Sequence, residues 1–117
     1  MNKDRSILIA DDEMVVCELL LDVLPENWTI SICHTGTELQ ALISNCADLY
    51  DFAIVDVHMG QGNGPDVVHS CKDGGINIKV LHITGDTGFR NTPYVLYKPF
   101  TPEELKEKVV ELLESGK

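Results

Sequence analysis

Six residues in four places carry most of the chemistry open to this sequence. Asp11, Asp12 and Glu13 stand in a row, Asp56 follows an apolar run, Thr84 precedes Gly85, and Lys98 precedes Pro99. Taken singly, each has an ordinary structural explanation: Asp12 caps a helix, Asp56 opens a turn, Thr84-Gly85 makes a bend, and Lys98 is a solvated strand end. Brought to one place, they do not. Several carboxylates at one buried edge repel one another, and the arrangement is costly unless a cation or a proton intervenes. A hard divalent cation with oxygen ligands and room for water and phosphate is magnesium, so Mg2+ is the expected cofactor.

The elements that must position these residues follow from the apolar pattern. Five short apolar runs read as strands: Ile7 to Ala10, Trp28 to Cys33, Phe52 to Val55, Ile78 to Ile83 and Tyr94 to Tyr97. Helical patterns alternate with them, the arrangement expected of an α/β parallel sheet covered by helices. The first helix spans Glu13 to Leu24 with Val16, Leu19, Leu20 and Val23 inward, and Pro25 stops it. The second follows Thr35, with Glu38 completing a capping box, and turns Leu39, Leu42, Ile43 and Cys46 inward. A short third helix runs from about Pro65 to Lys72 and ends at Gly74 and Gly75. The last starts at Thr101, Pro102 and Glu104 and buries Leu105, Val109 and Leu112.

One connection departs from the pattern. Thr84 to Pro93 holds two glycines, a proline and almost no apolar residues, so no helix with a stripe to bury can be written there. That connection should be short and irregular, or its strand should lie at an edge. Its composition also predicts low local stability. In an open parallel sheet the ligand site lies at the carboxyl ends of the strands, which is where Asp11, Asp12, Asp56, Thr84 and Lys98 fall.

At 117 residues, with 44% hydrophobic and 24% charged, the chain has the size and composition of one soluble globular domain, positions 1 to 117. No apolar run reaches the roughly 20 residues of a spanning helix, and the polar start from Met1 to Ser6 has no signal-peptide core behind it. A cytoplasmic protein without membrane partner is expected. The net charge of -10 would repel a phosphate backbone, so direct nucleic-acid binding is not expected. Cys17, Cys33, Cys46 and Cys71 lack zinc or redox spacing and read as buried free thiols.

ILIADDE at the first strand, AIVDVHMGQGNG around Asp56, HITG at the fourth strand and YKPF at the fifth occur in that order, each at a strand end. In these segments, and over its full length, the sequence resembles a response-regulator receiver domain of two-component signalling. The resemblance implies a flavodoxin-like, doubly wound sheet of strand order 2-1-3-4-5, here with the fourth helix missing or reduced. It implies that Asp12 binds magnesium directly and Asp11 mainly through water, that Asp56 is both ligand and phosphorylation site, and that the His58 backbone carbonyl is a further ligand. Lys98 would compensate charge on the transferring oxygens and Thr84 would hydrogen-bond the bound phosphoryl group. The implied partners are a histidine kinase or phosphotransfer protein upstream and an output protein or domain downstream. The chain would be no enzyme beyond its own phosphorylation and dephosphorylation.

Three departures bear on what carries over. Gly60 stands where the family commonly has proline. Val95 occupies the position of the usual switch aromatic, which leaves Thr84 and a displaced Tyr97 as switch residues. The fourth helix is missing from the pattern. A haloacid-dehalogenase-type phosphatase would need an acid two residues after Asp56, where His58 stands. A phosphate-bearing cofactor after the first strand would be repelled by Asp11, Asp12 and Glu13. The remaining alternative is a receiver-like interaction module that works without phosphorylation.

Overall fold

The computed structural model describes residues 4–59, 63–90, 92 and 94–114. The strands are β1 Ser6–Ala10, β2 Thr29–Cys33, β3 Phe52–Asp56, β4 Lys79–Thr84 and β5 Val95–Tyr97; the helices are α1 Met14–Val23, α2 Gly36–Cys46, α3 Gly64–Asp73 and α4 Pro102–Glu114. A single 3-10 turn, Ala47–Leu49, follows α2. The sheet is parallel throughout, in the order β2-β1-β3-β4-β5. This is the doubly wound, flavodoxin-like arrangement expected, with strand ends within a residue of the apolar runs.

Both faces of the central strands are buried, which is why β1 and β3 read as continuous apolar runs rather than alternating ones. On one face Ile7, Ile9, Phe52, Ile54, Leu81 and Ile83 pack with Cys17 and Leu20 of α1 and Leu105, Val109 and Leu112 of α4. Leu8, Ala10, Ala53, Val55 and Val80 meet Leu39 and Ile43 of α2 and Val67, Val68 and Cys71 of α3 on the other. Trp28 closes the first layer edge-on to Phe52, centroids 6.0 Å apart, and belongs to the turn before β2 rather than to the strand.

The helix starts show how local chemistry sets the boundaries. Thr101 Oγ1 accepts from the Glu104 N–H at 3.1 Å while Glu104 Oε1 accepts from the Thr101 N–H at 2.9 Å, a complete capping box. At α2, Thr35 Oγ1 takes the Glu38 N–H at 3.1 Å, but Glu38 Oε1 takes the His34 N–H at 3.2 Å, one residue earlier than the box predicts. Asn63, not foreseen, caps α3 by accepting from the Asp66 N–H. That helix ends at Gly74, and Gly75 takes a φ of +88, the left-handed conformation that favours glycine.

In α1 the buried residues are Cys17 and Leu20, and Leu19 is only half-buried, a rotation from the expected stripe. Between β4 and β5 no helix forms among the described residues, and β5, at the edge of the sheet, is three residues long. The expected reduction of this crossover is therefore present. Within the connection Asp86, Gly88 and Phe89 are joined by hydrogen bonds described below, while positions 91 and 93, which share in its predicted looseness, lie outside the described residues. Gly60, one of the departures noted above, lies outside the described residues.

Candidate functional site

The carboxyl ends of β1, β3, β4 and β5 bring five of the six residues singled out in the sequence into one cluster, with Thr84 at the same edge. Asp11 follows β1 directly, Asp56 ends β3 opposite Ile83 of β4, Thr84 ends β4, and Lys98 follows β5. Asp11, Asp56 and Thr84 are buried at 0%, 3% and 1% exposure; Asp12 and Glu13 are exposed at the rim. Asp11, Asp12, Glu13 and Asp56 each offer a carboxylate oxygen, and these oxygens lie within 4.8 Å of one another.

The backbone around the cluster is firmly held. The Asp11 N–H donates to Cys33 O at 3.1 Å, and the Asp11 carbonyl accepts from Cys17 Sγ at 3.7 Å and lies 2.9 Å from His34 Nδ1. Asp11 Oδ1 accepts the Glu13 N–H at 2.8 Å at the entrance to α1. Because Glu13 makes no capping bond of its own, its carboxylate is available to reach across the site. It meets Lys98 Nζ at 2.8 Å, and the same ammonium stands 3.5 Å from Asp56 Oδ2 and 3.7 Å from Asp11 Oδ2. The Lys98 N–H donates to Thr84 O at 2.7 Å, which fixes the base of its side chain to the end of β4. The peptide between Lys98 and Pro99 is cis.

The electrostatics record the crowding. Burial, the Asp56 charge and the Glu13 charge push the Asp11 carboxyl up to about 6, against its hydrogen bond from Glu13 and the pull of Lys98. Burial also raises Asp56, while Lys98 and the His58 N–H, 3.3 Å from Asp56 Oδ1, act to lower it. Burial alone would lower Lys98, but its hydrogen bond to Glu13 and the charges of Asp11 and Asp56 outweigh that, and its net shift is upward. One ammonium thus faces three carboxylates.

Asp11 Oδ2 is buried and has no hydrogen-bond partner. An orphaned carboxylate oxygen in a cluster of hard oxygen donors is what a divalent-cation site with oxygen ligands requires, so the residues present fit magnesium. Thr84 Oγ1 accepts the Asp86 N–H at 3.0 Å. Tyr97 donates its hydroxyl to Phe89 O at 2.7 Å, which ties β5 to the β4–β5 connection. Glu13 was read in the sequence only as a strand-end acid. Its contact with Lys98, 85 positions away, carries no local signal and is visible only in the fold.

The family model of the response regulator receiver domain matches residues 7–110. The response regulator SaeR of Staphylococcus aureus (strain USA300) is 28% identical over 116 residues, covering 92% of this chain and 50% of that protein. The chain thus spans about half the length of the curated relatives it matches. Among solved structures, the Francisella response regulator 1452 receiver domain superposes with a TM-score of 0.81 at 23% identity, over 97% of this chain and 99% of that one. A response regulator receiver protein from Sinorhizobium medicae WSM419 gives 0.80 at 21%, over 98% of both chains. At those identities the structural likeness speaks for the fold, while the match of the family model across nearly the whole chain shows that it belongs to the response regulator receiver domains of two-component signalling.

Proposed function

We propose that this receiver takes a phosphoryl group onto Asp56 from a phosphohistidine of a histidine kinase or phosphotransfer protein, with Mg2+ as cofactor, and thereby changes its binding to an output protein or domain. The observation that carries the reading is the pairing of the Asp56 carboxylate with Lys98 Nζ at 3.5 Å beside the orphaned Asp11 Oδ2. Asp56 offers a nucleophile, Lys98 a positive charge for the transferring oxygens, and Asp11 a buried oxygen that has the Lys98 ammonium at 3.7 Å but accepts no hydrogen bond.

In the transfer, an Asp56 carboxylate oxygen forms a bond to phosphorus as the bond from phosphorus to the donor imidazole nitrogen breaks. Asp11, Asp12, Asp56 and the His58 carbonyl would hold magnesium, which when bound offsets their negative charge and that of the phosphoryl group. Lys98 then balances the added charge, and the Thr84 hydroxyl hydrogen-bonds a phosphoryl oxygen. The donor's approach has a surface to use: Met14 and Val15, 65% and 76% exposed, open α1 directly beside the acid cluster. A cytoplasmic location agrees with such partners, and no helix among the described residues is long and apolar enough to cross a membrane.

Intact-mass measurement with acetyl phosphate and magnesium tests the reading. One added phosphoryl group is expected, absent in Asp56→Asn and absent with chelator. Labelling of Asp56→Asn at the wild-type rate would overturn the assignment, and no labelling of either would favour a phosphorylation-independent module.

A further inference from the structure

With no helix between β4 and β5 among the described residues, the sheet face beside α3 is covered by something else. His82 lies on that face, on the same side of β4 as Val80, and is only 6% exposed. Both of its ring nitrogens are buried without a hydrogen-bond partner, which disfavours the covered form. Burial and the neighbouring Lys72 ammonium lower its pKa to about 4, so the ring is neutral. The cover is Phe89, whose ring lies 5.5 Å from the imidazole at 48°. A cavity of about 280 Å3 runs beside the two rings, between Val68 and Lys72 of α3 and Val80 of β4.

Phe89 is held in place by a chain of bonds that begins at Thr84. Thr84 Oγ1 accepts the Asp86 N–H at 3.0 Å; the Asp86 carbonyl accepts the Phe89 N–H at 3.1 Å; and Asp86 Oδ1 accepts the Gly88 N–H at 2.8 Å. The Phe89 carbonyl in turn accepts the Tyr97 hydroxyl at 2.7 Å. The Thr84 hydroxyl cannot move without either carrying Asp86 with it or losing that bond. In the first case the carbonyl that holds the Phe89 N–H moves; in the second Asp86 loses its tie to Thr84.

We propose that Phe89 is a cover over His82, latched in the free protein by Thr84 through Asp86, and that it lifts when Thr84 turns to a phosphoryl group on Asp56. The proposal rests on Asp56 being the phosphoacceptor and adds how the site reports its state. The covered form already has a built-in weakness, two unpaired imidazole nitrogens that water can satisfy once the cover lifts. Tyr97, expected from the sequence as the displaced switch aromatic, is the tether of Phe89 in this arrangement.

Imidazole NMR on the full chain with magnesium, with and without beryllofluoride, tests this, fluorine NMR reporting the adduct separately and His82→Gln assigning the signal. The other charged or titratable groups lining the cavity are Asp66, His69 and Lys72, all on α3. In the free protein His82 should titrate near 4; on forming the adduct it should move about two units up, toward the ordinary 6.5, and amide exchange at Phe89 should quicken at least about tenfold. An adduct without either change overturns the proposal. If no adduct forms, the reading of Asp56 fails, and the latch is then decided in the free protein. There Thr84→Ala should quicken exchange at Phe89 by a similar factor, Thr84→Ser should restore it, and Phe89→Ala should let His82 titrate near 6.5. Unchanged exchange in Thr84→Ala, or a low His82 pKa in Phe89→Ala, overturns the latch or the cover respectively.

Discussion

Lys98 Nζ lies closer to Glu13, at 2.8 Å, than to Asp56, at 3.5 Å, so in the free protein the site's only described ammonium is shared between a rim carboxylate and a buried one. The cation stands in for part of the charge that magnesium would supply. Removing it should therefore favour the metal while impairing transfer. Lys98→Ala is expected to bind magnesium several-fold more tightly, roughly 1 kcal/mol after allowance for solvent screening, and to be labelled by acetyl phosphate more slowly. Calorimetric titration with magnesium checks the first part. Loss of metal binding in this variant would show that Lys98 organises the carboxylates rather than competing for them.

Asp11 destabilises the protein that carries it when no metal is bound. In the fold its carboxyl keeps a proton up to about pH 6, whereas the unfolded chain releases it near 3.8. Between those values the folded state holds more protons, so stability falls as pH rises through the window, and the full penalty is present at neutral pH. Asp11→Asn removes the charge and keeps an Oδ1 acceptor for the Glu13 N–H. At pH 7.5 without magnesium it should melt higher than wild type, by about 1 to 3 kcal/mol, with the gain shrinking toward pH 4. Magnesium should raise the wild-type Tm and do so much less in the variant. Calorimetric melting across this range gives the answer, and a variant less stable than wild type at pH 7.5 would contradict the account.

Gly64 sets how near α3 comes to Asp56. A Cβ there would overlap the Asp56 carbonyl oxygen and come within 2.6 Å of Val55 Cγ1. The first of these is backbone and cannot turn aside. Gly64→Ala should cost about 1 to 3 kcal/mol as an overpacked substitution and slow labelling of Asp56 by displacing the strand end. Denaturant unfolding and the acetyl phosphate assay measure the two effects. Wild-type values in both would mean that α3 tolerates the shift.

What could be read from the residue order was mostly what neighbours in sequence decide. The Thr101–Glu104 capping box involves residues three apart, and the strand ends follow from apolar runs that parallel pairing buries on both faces. The rotation of α1 was less legible because MVVCELLLDV is apolar on nearly every side, so its pattern does not choose between Leu19 and Cys17. Asp11, Asp12, Asp56, Thr84 and Lys98 were legible as a group because each ends a strand, and the topology delivers strand ends to one edge. Glu13's bond to Lys98 and the cover on His82 were not, because each depends on where a side chain or a loop comes to rest after the sheet has formed. His82 alone looks like one more residue of an apolar strand.

The short route from Thr84 to Val95 also bears on how the chain folds. Only positions 85 to 94 separate the two strands, and no helix forms there among the described residues. Against a connection twice as long, closing this one saves about 0.6 kcal/mol of chain entropy. In return β5 has a single strand neighbour and three residues of pairing, and among the helices α4 shares most of its contact with β4 and β5. β5 therefore depends on α4, whose Leu105, Val109 and Leu112 are buried in the same layer as Leu96 and the strands β1, β3 and β4.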